Sequence, residues 1–263
     1  MLRGYDDVLA ALRDSRYLAG THADDNEVAG IRQAFQDKLE SAEPLLSVKV
    51  SNPCDLLAEI VRPWAAAIAG SNEASKDLRC VFLAAANPED AELQREGSRA
   101  TAVLARSRSA LEIQFSVAVA ETLPAFLGNA WHLLLQNREE LRWLRANPDE
   151  MPRAIEELLR LAGPSRIVFR QINGRREPLY LGEANLDPAR FDCPEQLRLI
   201  RTPNPHLAFG GGLHACPGAP MIRAAALRAT TAFVERFTEA ELVETVPGRG
   251  SAIVWLERLV ARL

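Results

Sequence analysis

One stretch of this sequence concentrates the residues that could do chemistry: Phe209-Gly210-Gly211-Gly212-Leu213-His214-Ala215-Cys216-Pro217-Gly218. Its glycines permit positive φ and let the backbone lie close to a flat ligand. Pro217 suits the first position of a helix, where a missing N–H costs nothing. Cys216 therefore falls at a helix N-terminus, where the dipole favours an anion by about 0.3–1 kcal/mol and promotes thiolate. Backbone N–H groups turned toward the sulfur would add about 1.5–3 kcal/mol each, as bonds to a charged acceptor. A thiolate is also one of the ligands that can hold haem iron, where it pushes electron density onto the metal to favour O–O cleavage. Cys54, Cys80 and Cys193 match no zinc or thiol-redox spacing and read as buried free thiols.

The elements that must position Cys216 are mostly helical. Residues 217–237 read as the helix that carries it. Upstream, 6–14 is a short amphipathic helix, and 27–43 continues with Ile31, Phe35 and Leu39 at helical spacing, stopping before Pro44. Residues 53–69 put Leu56, Leu57, Ile60, Val61 and Trp64 on one side, and 70–76 form a polar linker. A break is expected at 87–97, around Pro88. From 100 to 136 the pattern is one long apolar helix interrupted at Pro124. Helices follow at 138–146 and 151–161, closed by Asn147-Pro148 and Gly163-Pro164. Residues 166–171 suit a strand, 172–206 read as irregular, and 240–263 could hold a hairpin around Pro247-Gly248.

The cysteine loop matches FGxGxHxCxG, the haem-binding signature of the cytochrome P-450 family, and the chain resembles that family over nearly its whole length. Glu157-Leu158-Leu159-Arg160 resembles the family's ExxR helix, and Asp187-Pro188-Ala189-Arg190-Phe191 its PERF-type segment. The resemblance implies a buried network of Glu157, Arg160 and Arg190 behind the loop, where losing one partner strands a charge at about 3–5 kcal/mol. It implies haem b ligated by Cys216 and cradled by Phe209, Gly210, Gly212 and Gly218, with His214, Arg170 and Arg32 toward the propionates. Val28 stands where relatives carry a histidine four residues before that early arginine.

Ala118-Val119-Ala120-Glu121-Thr122 resembles the family's oxygen-activating helix, which makes Glu121 and Thr122 the acid–alcohol pair that relays protons. Val119 replaces the usual glycine there and narrows the space, while Pro124 frees the Ala120 carbonyl. Val117, Val119, Ala120, Ile167 and Val168 are expected to line an apolar substrate pocket. His132 and His206 read as surface or satisfied histidines, and His22 receives no role.

The fold class implied is mainly α: a cytochrome P-450-like helical fold with a reduced β component, one shortened haem domain over 1–263. RGYDDVLAALRDSR resembles an early helix of relatives, and only residues 171–189 separate Arg170 from Arg190, so the N-terminal region and most of the sheet are expected to be missing. The implied function is oxygen insertion into a small, secondary-metabolite-like substrate, using dioxygen with a ferredoxin-type donor, or peroxide. Two alternatives stay open: a helper protein that activates a partner such as a glycosyltransferase, and a haem-binding carrier or sensor without turnover. A formal net charge of -4 offers no electrostatic case for nucleic acid. No apolar run reads as long enough to span a bilayer and the N-terminus lacks the apolar stretch of a secretion signal, so a cytoplasmic protein without membrane contact is expected.

Overall fold

In a computed structural model of the protein, residues 2–18, 25–42, 49–70 and 75–263 are described. His22, Pro44 and most of the linker at 70–76 lie outside them. The chain begins with α1 (Tyr5–Arg13) and α2 (Asp25–Ser41), then a short strand β1 (Cys54–Asp55) and a π turn, Leu57–Val61, that runs into α3 (Arg62–Ala69). A helical pair follows, α4 (Ser75–Ala86) and α5 (Ala91–Leu104). The central helix comprises α6 (Ala110–Val117), a second π turn at Ala118–Thr122, and α7 (Leu123–Gln136). Then come α8 (Arg138–Ala146), α9 (Met151–Ala162), the hairpin β2 (Val168–Ile172) and β3 (Arg175–Leu179), and α10 (Leu181–Ala184). The long helix α11 (Ala219–Arg236) and the strands β4 (Glu241–Pro247) and β5 (Leu256–Arg262) complete the order. The expected class, mainly helical with little sheet, is the one observed.

Several boundaries differ from the sequence reading, each for a local reason. The central helix starts at Ala110 rather than 100, because Ser109 and Glu112 form a capping box: Ser109 Oγ accepts from Glu112 N–H and Glu112 answers on Ser109 N–H. The break expected at 87–97 is present around Pro88 but confined to 87–90, between α4 and α5; α5 runs on through Gly97, where an added Cβ would meet the Ala84 side chain. That glycine serves close packing of α4 on α5. The segment 172–206 is not all irregular. Asn173 and Gly174, at φ 50° and 73°, form the two-residue turn of the β2–β3 hairpin, with Ile172 opposite Arg175. Asn-Gly between two strand-like runs is a strong hairpin signal that the sequence reading passed over. Residues 54–55 are strand, antiparallel to Ala261 and Val260, giving the order β1-β5-β4.

Both π turns precede a proline. Leu123 N–H bonds to Ala118 O ahead of Pro124, and Arg62 N–H to Leu57 O ahead of Pro63. A proline has no N–H for the carbonyl four residues back, and its ring crowds that carbonyl. Widening the preceding turn by one residue relieves both. The main core packs α7, α9 and α11 together around Trp131, Phe126, Leu158 and Phe233, with the Trp131 and Phe233 rings stacked 4.4 Å apart. A second cluster joins α1 to Leu179, Leu181, Phe191 and Leu207. The helix Ala110–Gln136 is long and apolar enough to cross a membrane by length and composition, contrary to the expectation that no such run exists; 50% of its apolar window is buried inside the protein.

Candidate functional site

Cys216 sits where the loop meets α11. Gly210 and Gly212 adopt φ of 68° and 65°, which non-glycine residues rarely tolerate. At Gly212 a side chain would also run into Leu12 O at 2.3 Å, so α1 holds the loop from outside. Cys216 N–H bonds to Phe209 O at 2.9 Å, which folds the loop back on itself. Burial pushes the Cys216 thiol up; the N–H groups of Gly218 and Ala219, then the charges of Arg223 and Arg32, work the other way. The sulfur thus receives two backbone donors at a helix start, the arrangement expected from the sequence. Gly218 leaves open the space beside it, since a Cβ there would lie 3.5 Å from Phe115 and 3.8 Å from Cys216 Sγ. A sulfur with two N–H donors, two left-handed glycines and a side-chain-free neighbour fits a thiolate ligand to a haem.

The loop is braced by a cluster that sequence reading missed. Glu156 on α9 accepts from Arg223 Nε at 2.7 Å and Nη2 at 2.9 Å, and lies 3.0 Å from His206 Nε2. Ala208 N–H donates to His206 Nδ1 at 3.2 Å, so Nε2 carries the proton that faces Glu156. Arg223 also lies over the Phe209 ring, 4.6 Å from its centroid. Burial acts upward on the Glu156 carboxyl, and the bonds from His206 and Arg223 outweigh it, holding it at about 2. His206 is therefore a satisfied histidine. His132 is not: its Nδ1 is buried without a partner among the described residues.

Behind the loop, Glu157 and Arg160 are fully buried and bidentate, Nε–Oε2 and Nη2–Oε1 both at 2.8 Å. Arg190 does not join them. It is exposed, with its guanidinium 5.1 Å from the Tyr5 ring centroid. Arg201 takes the expected place, its Nε 3.0 and 3.1 Å from the two Glu157 oxygens. Asn204 Nδ2 and Arg198 N–H complete the carboxylate's shell at 3.1 and 3.2 Å. The reason is the path that follows residue 190: Phe191 turns inward beneath Arg160 and Arg190 outward, and the chain returns to Glu157 at 198–204, where Arg201 supplies the side-chain charge.

On the central helix, Glu121 is buried in the π turn and bound to charge. Its Oε2 accepts from Arg79 Nη1 at 2.8 Å and lies 3.8 Å from Arg62. Glu257 closes the group through the same two arginines, and Trp255 Nε1 donates to it at 2.8 Å. Burial raises the Glu121 carboxyl, and Arg79 partly opposes it. The hydroxyl of Thr122 has no protein partner among the described residues. Arg79, Arg62 and Glu257 carry no signal in the sequence, because they come from three separate segments.

The remaining expected residues are scattered. Arg32 gives Nε and Nη2 to Pro217 O at 2.9 and 2.6 Å, next to the cysteine. Arg170 turns Nη1 onto Phe169 O at 3.0 Å, and burial pulls its guanidinium down. The five pocket residues do not come together in either of two cavities lined by described residues. Val119 lines a cavity of about 240 Å³ and Ile167 another of about 550 Å³, while Val117 and Ala120 pack beside Leu78 and Ile113, and Val168 beside the α1 cluster. Their spacing on one helix face does not bring α6 and β2 together. Of the cysteines read as buried, Cys54 is, and burial first, then Glu59, pushes its thiol up to about 12; Cys193 is exposed.

No family model matches the chain. Among curated proteins it is 35% identical over 154 residues to a putative cytochrome P450, YjiB, of Bacillus subtilis (strain 168), covering 54% of this chain and 39% of that one. It is 34% identical over 144 residues to the biotin biosynthesis cytochrome P450 of the same organism, 50% of this chain and 36% of the relative. The chain thus spans under two fifths of the length of these relatives. Among solved structures, P450BioI in complex with an acyl carrier protein ligated to hexadec-9Z-enoic acid superposes with a TM-score of 0.79 at 21% identity, over 99% of this chain and 91% of that one. The enzyme CxnD, for C–S bond formation in chuangxinmycin biosynthesis, gives 0.75 at 22% identity, over 99% and 87%.

Proposed function

Because the chain is homologous to the cytochrome P450s and has their fold, we propose that it is a haem-thiolate oxidoreductase that inserts oxygen into a small organic substrate. The observation that carries this reading is the Cys216 sulfur, held by the N–H groups of Gly218 and Ala219 at the start of α11. Haem b ligated there would supply oxygen activation driven by thiolate electron donation. The chain's residues would do the rest. Gly210, Gly212, Phe209 and Gly218 shape the cradle, and His214, Arg170 and Arg32 are the candidate propionate partners. Arg32, which donates to Pro217 O, would exchange that bond for a propionate.

Glu121 would handle protons. Its Oε2 is committed to Arg79 and Arg62, which leaves Oε1 to take up a proton and pass it toward the Thr122 hydroxyl. Burial makes that carboxyl hold a proton more readily than an exposed one. The oxidant is dioxygen with electrons from a ferredoxin-type partner, or peroxide, and the site of action the cytoplasm. Peroxide-supported turnover is expected to be at least comparable to that with a ferredoxin donor.

The test is the absorption spectrum of the reduced carbon monoxide complex. Wild type shows the thiolate form and Cys216→Ser abolishes it; a spectrum unchanged by the substitution refutes the assignment. One observation favours the helper-protein alternative: Val119 is 3% exposed and fills the core at the π turn. If neither Val119→Gly nor Thr122→Ala changes product formed per electron supplied, the helper reading prevails.

A further inference from the structure

A cavity of about 240 Å³ lies between α2, α3 and the central helix and reaches Val119. Most of its wall is apolar: Ile31, Phe35, Ile68, Phe115 and Met221 among others. Two cations break that wall, Lys38 from α2 and Arg108 from just before α6. Arg108 makes no hydrogen bond or ion pair among the described residues, and its Nη1 is buried with no partner. Lys38 Nζ is likewise without an ion-pair partner among them; it packs at the αL residue Gly70, 2.9 Å from where a Cβ would stand.

One acid lines the same cavity, Glu112, four residues after Arg108. Residues at that spacing can pair on a helix. Here they do not, because Glu112 Oε2 is turned back onto Ser109 N–H at 2.7 Å to close the capping box. The cavity therefore keeps an excess of positive charge over an apolar floor. A buried guanidinium donor without an acceptor is a standing cost to the fold, and an incoming carboxylate removes it with charge-assisted bonds.

We propose that this cavity holds the carboxylate end of an amphiphilic substrate: Arg108 and Lys38 read the acid, and the apolar wall takes the chain toward Val119. This names a substrate class for the proposed oxidative site and rests on that reading. It does not rest on any property of the haem ligand.

The test is calorimetric titration of the purified, haem-loaded full chain with three probes: octanoate, 1-octanol as the uncharged tail, and acetate as the head alone. Octanoate is expected to bind saturably, 1-octanol at least about tenfold more weakly, and acetate not measurably. Arg108→Gln should weaken octanoate by about tenfold or more and leave 1-octanol unchanged, while Arg108→Lys keeps most of the binding. Lys38→Gln, at an exposed residue of α2, gives a second loss in a variant whose folding is not in question. Equal binding of octanoate and 1-octanol, or octanoate binding indifferent to both cations, overturns the proposal. Cation-dependent binding in protein without a thiolate spectrum upholds the cavity and refutes the oxidative reading; a thiolate spectrum with cation-independent binding does the reverse.

Discussion

Replacing Glu157, Arg201 and Arg190 in turn tests the buried network, and the structure ranks the outcomes. Glu157 and Arg160 are fully buried and Arg201 is 6% exposed, so the cluster holds one negative and two positive charges. Glu157→Gln strands two guanidinium groups around a neutral amide, and losing one partner of a buried pair costs about 3–5 kcal/mol. Arg201→Ala leaves a neutral Glu157–Arg160 pair and removes charge-assisted bonds to the carboxylate, for about 1.5–3 kcal/mol. Arg190→Ala removes one exposed contact with the Tyr5 ring, about 0.5–1 kcal/mol at most. In urea, with a slope of about 3 kcal/mol/M, the midpoints should fall by about 1–1.7 M, 0.5–1 M and no more than 0.3 M respectively. The assay is equilibrium unfolding followed by tryptophan fluorescence. An Arg190 variant that loses as much as the Arg201 variant would refute the reasoning, since it would put Arg190 in the network.

Other expectations follow from single contacts. Gly97→Ala should destabilise by about 1–3 kcal/mol through overpacking between α4 and α5, read as a lowered denaturation midpoint; a neutral result would mean the two helices are not in contact there. Glu156 has a folded value of about 2, below its unfolded one, so its contribution is present above about 4.5 and lost as pH falls toward 2. Glu156→Gln should flatten the stability profile across that interval. Glu121 has the opposite sign: its value is raised on folding, so its contribution is present at low pH and lost as pH rises above the ordinary carboxylate range. Pro124→Ala restores an N–H to the central helix, and the new amide should be slow to exchange with solvent if the π turn gives way to regular α-helix.

Elements with local causes were legible before the structure. The helices at 138–146 and 151–161 appear at nearly the expected bounds, because their apolar spacing and proline stops are contained within each segment. Pro124 marks a distortion of the central helix in the sequence itself, and the π turn at 118–122 is the form it takes. The hairpin at 168–179 and the capping box at 109–112 also had local signals, an Asn-Gly turn and a Ser-x-x-Glu, which lost out to the proline content of one region and the apolar run of the other. Gly97 is different. A glycine that ends a helix and one that admits a neighbouring helix look alike until the neighbour is placed.

What the sequence alone determined is the short-range chemistry. Cys216 stands at the head of α11 because three glycines and a proline leave that stretch few other paths, and Glu157 meets Arg160 because i and i+3 share a face of any helix. The tertiary structure decided every partner that arrives from elsewhere: Arg201 rather than Arg190 on Glu157, Arg79 and Arg62 on Glu121, and an Arg108 without a partner among the described residues in a mostly apolar cavity. The physical reason is the range of the forces that choose. Helix spacing and turn geometry act within a few residues. A buried charge, by contrast, must be met by whichever polar group the folded backbone carries within about 3 Å of it, and that depends on how the whole chain packs.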